Sequence, residues 1–123
     1  MNLWLLVGAV HGFLAVAAGA FGAHGLEGHV DARSLEIFNT AAHYHLVHAL
    51  ATVVAVLAAQ RVAPERAHIA AIFFTAGVLL FSGSLYFLVL AQSNALVLAT
   101  PLGGLCFLAG WAALAWAALK QRE

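Results

Sequence analysis

Four long apolar stretches, joined by connections too short to fold separately, decide what this chain can become. They run from Leu3 to Ala23, Ala41 to Ala59, Ile69 to Ala91 and Pro101 to Leu119. A helix that crosses a bilayer needs about 20 mostly apolar residues, and each stretch meets that length. The links are Gly25 to about Ser34, Gln60 to Arg66 and Gln92 to Thr100. Short links between long helices favour antiparallel neighbours. The expectation is an all-α integral membrane protein, an up-down four-helix bundle with residues 1–123 as one transmembrane domain in contact with the lipid bilayer.

Composition excludes the alternatives. Hydrophobic residues make up 64% of the chain and charged residues 8%, against about 25% charged in an ordinary soluble domain. So few charges cannot cover a soluble surface. Five basic residues balance five acidic ones, which leaves no bulk charge for nucleic-acid binding. The single cysteine, Cys106, excludes an internal disulfide and a cysteine-based zinc finger. The first stretch is not read as a cleaved signal peptide, because no basic residue precedes Leu3 and the run exceeds the roughly 7–15 apolar residues of a signal core.

Orientation follows from Lys and Arg. Arg61 and Arg66 lie in the second connection, Lys120 and Arg122 in the tail, and only Arg33 in the first connection. Four spans put the first four on the side of both termini, so the positive-inside rule predicts N-in and C-in, with Trp4 and Trp116 near the cytoplasmic face. Helix starts are legible at Asp31, which caps an early amphipathic start to the second helix, at Pro64, and at Thr100-Pro101, read as a cap followed by a first-turn proline.

Small residues recur on two helices. Gly8, Gly12, Ala15, Gly19 and Gly22 form one stripe, and Gly103, Cys106, Gly110, Ala113 and Ala117 another. Such stripes allow close backbone approach, within the bundle or in a homo-oligomer packed through its glycine-rich faces. Cys106 reads as a small packing residue. The third helix carries Thr75, Ser82, Tyr86 and Ser93 within about 40° of one another at 100° per residue, a polar stripe expected to face other helices.

The histidines are the candidates for chemistry, because ionisable groups within a span are costly and face a cavity or a partner. His45 and His48 share a helix edge with Thr52, whereas His43 points about 160° away from His45. The expected site is a layer near the non-cytoplasmic face, with His43 to His48 in the outer third of the second helix and His24 at the outer end of the first. His24, His45 and His48 could offer three nitrogens to a metal or to haem iron. Tyr44, Tyr86 and Ser82 could line a polar pocket for a quinone or a lipid headgroup. The same groups also serve as interhelical hydrogen-bonded packing. His11 lies about 20 Å from His24 along the first helix and reads as a helix-contact histidine. The sequence carries no zincin HExxH, phosphate-binding GxxxxGKS, GxSxG or dinucleotide motif, so the reading leans away from an enzyme.

Four segments occur in a recognisable order: G-A-F-G-A-H-G-L from Gly19, Y-H-L-V-H-A-L from Tyr44, F-S-G-S-L-Y from Phe81 and T-P-L-G-G-L-C-F-L-A-G-W from Thr100. Over essentially its whole length the chain resembles the small membrane-protein family catalogued as domain of unknown function 423, which includes the transmembrane protein 256 group. The resemblance implies four membrane helices in a bacterial inner membrane, or a mitochondrial one in a eukaryote. It brings no reaction, substrate or cofactor. His24, Tyr44, His48, Ser82, Gly83, Tyr86, Pro101, Gly103, Gly104, Gly110 and Trp111 occupy its characteristic positions. His11 and His43 fall outside the pattern and His45 matches part of the family, which shifts weight to His24 and His48 with Tyr44 and Tyr86. Three functions follow in order: a structural or accessory membrane protein, a metal-, haem- or quinone-binding protein, and a small transporter or channel subunit. The last ranks lowest because no deep charge lines a path: Glu36, the one candidate for an intramembrane acid, lies near the surface.

Overall fold

The computed structural model describes residues 1–121; Arg122, counted above among the basic residues of the tail, lies outside them. Helix α1 (Leu3–Ala20) continues through a π-helical segment, Phe21–Leu26, and α2 runs from Ala32 to Ala58. Helix α3 (Pro64–Gly77) passes through a second π-helical segment, Val78–Ser82, into α4 (Gly83–Leu90), and α5 covers Ala99–Ala118. Four helices are therefore long and apolar enough to cross a membrane: Leu3–Leu26, Ala32–Ala58, Pro64–Leu90 and Ala99–Ala118. Among the described residues there is no β-strand, and the fold is all-α.

Local sequence explains most of the helix ends. The Asp31 carboxylate accepts from the Ser34 backbone N–H at 2.7 Å, which starts α2 ahead of its apolar part. That hydrogen bond holds the exposed Asp31 carboxyl below the ordinary carboxylate range. Pro64 stands at the first position of α3. Thr100 departs from expectation. Helix α5 begins at Ala99 without a side-chain cap, and the Thr100 hydroxyl bonds instead to Ser84 Oγ at 2.6 Å. An interhelical partner within the membrane outcompetes the helix's own end.

The helices are ordered in a row. Helix α1 packs antiparallel on α2, α2 on α3 and α4, and α5 along α3 and the second π-helical segment; among the described residues α1 and α5 share no extended contact. Small residues set these approaches. A Cβ at Gly8 would lie 2.8 Å from Val53 Cγ2, and one at Gly110 2.5 Å from the Phe74 ring. A Cβ at Gly103 would collide with the Phe81 backbone, and one at Gly77 with the Phe107 ring. The two stripes thus face helices of the same chain at Gly8, Gly22, Gly103 and Gly110, while Gly12 and Gly19 have open space beside them. The core is built from Ala51, Ala55, Ala70, Ala71, Phe74 and Ala113, with Trp4 packed against it.

The third-helix polar stripe survives in part. Ser82 Oγ donates to the Ala41 carbonyl at 2.8 Å, and Tyr86 reaches His45. Buried Thr75 Oγ1 has no partner, and Ser93 lies beyond α4. The π-helical segment between Thr75 and Ser82 has more residues per turn than an α-helix, so a phase reckoned at 100° per residue does not carry across it.

Candidate functional site

Helix α2 carries two buried histidines, and each has both ring nitrogens in hydrogen bonds. His48 Nδ1–H donates to the Tyr44 carbonyl at 2.8 Å, one turn earlier. The Trp111 indole N–H donates to His48 Nε2 at 3.1 Å. A carbonyl only accepts and an indole only donates, so the proton of the neutral ring sits on Nδ1. His45 differs. Its Nε2 lies 3.0 Å from His11 Nδ1, and its Nδ1 lies 2.9 Å from the Tyr86 hydroxyl. Both partners can donate or accept, so this row from α1 through α2 to α4 can run in either direction.

The predicted three-histidine set is not assembled. His24 is exposed, in the π-helical end of the first span. His11 is level with His45, and His24 stands about 20 Å further along the same helix at 1.5 Å per residue. Among the described residues, no three of His, Cys, Asp and Glu gather closely enough to hold a metal ion. The nitrogens of His45 and His48 are directed at His11, Tyr86, Tyr44 and Trp111. Nor do these two lie in the outer third of the helix, since His45 stands at the midpoint of the 27-residue α2. Tyr86 and Ser82 face α2, where they bond to His45 and to the Ala41 carbonyl, and neither is among the residues lining the cleft that Tyr44 borders. His43 is exposed, and Thr52 Oγ1 donates back to the His48 carbonyl at 2.8 Å.

Tyr44 and His48 instead border a cleft of about 590 Å³ between α2 and α5. Phe81, Phe107 and Trp111 form its wall, and Pro101, Gly104, Leu105 and Leu108 complete it. The His48 and Phe107 rings stack 3.6 Å apart at 10°, and the Tyr44 ring lies nearly parallel to His48, at 6°. A Cβ added at Gly104 would meet nothing within 4 Å, so the cleft is open where that side chain is missing. No charged residue lines it.

The model of a protein family of unknown function, DUF423, matches residues 18–104. The chain belongs to the DUF423 family. Relatives of the family include the UPF0382 membrane protein YwdK of Bacillus subtilis, 42% identical over 121 residues and covering 98% of both chains. A UPF0382 membrane protein of Haemophilus influenzae is 40% identical over 122 residues, 99% of this chain and 98% of its own. The UPF0382 inner membrane protein YgdD of Escherichia coli is 38% identical over 119 residues, 97% of this chain and 91% of its own. No solved structure matches significantly. This member of the DUF423 family is a multi-pass inner-membrane protein.

His11 is the helix-contact histidine that the sequence suggested, with His45 as its partner, whereas the bond from Trp111 to His48 was not foreseen. His11 shares a helix face with Gly8 and Ala15, both buried, so the face that carries it had to look at α2. Trp111 lies one turn beyond Phe107, and the motif from Thr100 ends on it.

Proposed function

We propose that this DUF423 protein binds a neutral, lipid-soluble molecule with a planar head, of the quinone class, in the cleft between α2 and α5. One observation carries the reading: an uncharged, side-opening cleft of about 590 Å³ lined by the near-parallel rings of Tyr44, His48 and Phe107, with the exposed Tyr44 ring at its border. The volume falls within the roughly 300–1,000 Å³ of small-molecule sites. Parallel rings offer a face on which a flat ring stacks, and an acyl chain has no use for that geometry. The uncharged lining suits a neutral head.

A second reading, a structural or accessory role, is favoured by the His11–His45–Tyr86 row, whose bonds hold α1, α2 and α4 together. In either case both termini are taken to be cytoplasmic. In support, Lys120 accepts from the Ala63 N–H at 2.8 Å, and Arg66 lies over the Trp116 ring at 4.1 Å, so the basic residues of connection and tail share one end.

The test uses Trp111 as reporter. With Trp4→Phe and Trp116→Phe in place, menadione should quench the remaining tryptophan fluorescence saturably in mild detergent. Gly104→Leu puts a side chain into the opening, where a Cβ meets nothing within 4 Å, and should abolish that quenching. Quenching that never saturates, or that Gly104→Leu leaves unchanged, overturns the proposal.

A further inference from the structure

Helix α2 keeps one whole face free of the rest of the chain. Thr40, His43, Val47, Leu50, Val54 and Leu57 are all exposed along it. They recur at alternating intervals of three and four residues, the seam of a two-stranded coiled coil. The pattern is finer than mere exposure. Thr40, Val47 and Val54 fall at one heptad position and are all β-branched; Leu50 and Leu57 fall at the other, an arrangement that favours parallel pairs.

The upper half of this face is polar at a level where its neighbours are apolar. Phe38 packs on Phe21 of the first span, 5.9 Å between ring centroids, and Phe21 is 47% exposed. Thr40 and His43 lie further along α2 toward its midpoint, so they stand inside the band marked by Phe21. Among the described residues, neither the exposed hydroxyl nor the exposed imidazole is bonded to another helix. In hydrocarbon such groups seek partners on another helix.

The geometry points to a second copy of this chain as that partner, paired in parallel through α2 about a two-fold axis along the membrane normal. Such an axis sets each residue against its own copy. A hydroxyl both donates and accepts, and an imidazole has one ring nitrogen for each role, so like can pair with like across the axis. Val47, Leu50, Val54 and Leu57 supply the packing below. Glu36, the one acid on this face, is already 3.0 Å from Arg33. The exposed face of α1, with Leu6, Val10 and Phe13, offers apolar side chains alone and nothing that requires a partner. The glycine stripes are mostly engaged within the chain.

The pairing is tested in membranes with Cys106→Ser as background. Single substitutions Thr40→Cys, Val47→Cys and Val54→Cys should each form a disulfide-linked dimer under mild oxidation, and Phe13→Cys should not. Thr40→Leu combined with His43→Leu keeps the face apolar and should weaken dimerisation by about tenfold or more, with helix content unchanged. A chain that stays monomeric in all three, its face covered by lipid, overturns the inference. So does crosslinking through Phe13→Cys alone.

Discussion

His45 and His48 stand three residues apart on one helix, both buried and both bonded at each nitrogen, yet they are held in different ways. His48 lies between a carbonyl and an indole, groups of fixed polarity, and it has one proton arrangement. His45 lies between an imidazole and a phenol, and either arrangement satisfies all three. The first is a static brace, stacked on Phe107 and forming the floor of the cleft. The second joins three helices through bonds that tolerate reversal. Burial and hydrogen-bond number are alike at the two sites; the character of the partners separates them.

Substitution separates the two histidines. Trp111→Phe removes a donor that nothing else replaces and leaves His48 Nε2 buried and unpaired. It should cost about 1–3 kcal/mol, read from unfolding in mixed micelles. His11→Gln should cost less, about 0.6 kcal/mol, because the amide can donate or accept as His45 requires, and single polar links between membrane helices average that amount. Equal losses in the two variants would show that polarity is not what distinguishes the sites.

The smallest effect lies outside the bilayer and clears the way for pH work on the two histidines. The Asp31 carboxyl is held below its ordinary value, so its stabilising contribution is complete above the ordinary carboxylate range and is lost as pH falls through the lowered value. Asp31→Asn, still a competent cap, should flatten this acid-side decline while leaving stability at neutral pH little changed, as followed by helix content against pH. An unaltered decline would place its origin elsewhere.

Much of the fold was legible because lipid imposes simple requirements: four apolar lengths, short links, and starts at Asp31 and Pro64. The site was less so. Regular helical phase placed Ser82 and Tyr86 toward other helices, but it could not foresee the π-helical segment at Val78–Ser82, which arises where the Phe81 backbone meets Gly103. His24, His45 and His48 were grouped by residue type and estimated depth. Which histidine lies level with which depends on the register between α1 and α2, and that register is set by Gly8 against Val53 and Gly22 against Phe38. Such pair contacts leave no periodic trace in a single sequence. The cleft escaped for a similar reason, since it exists because Gly104 lacks a side chain on the outward side of α5 while Gly103 beside it is filled by a neighbour.

The row order of the helices bears on how the protein is made. Each helix rests chiefly on one made just before it, so the closing segment never has to find the opening one. Local pairing of this kind carries little loop-closure penalty and folds fast. An α1–α2 hairpin can join His11 to His45 while the rest is still being synthesised, and α5 arrives last onto a surface already built.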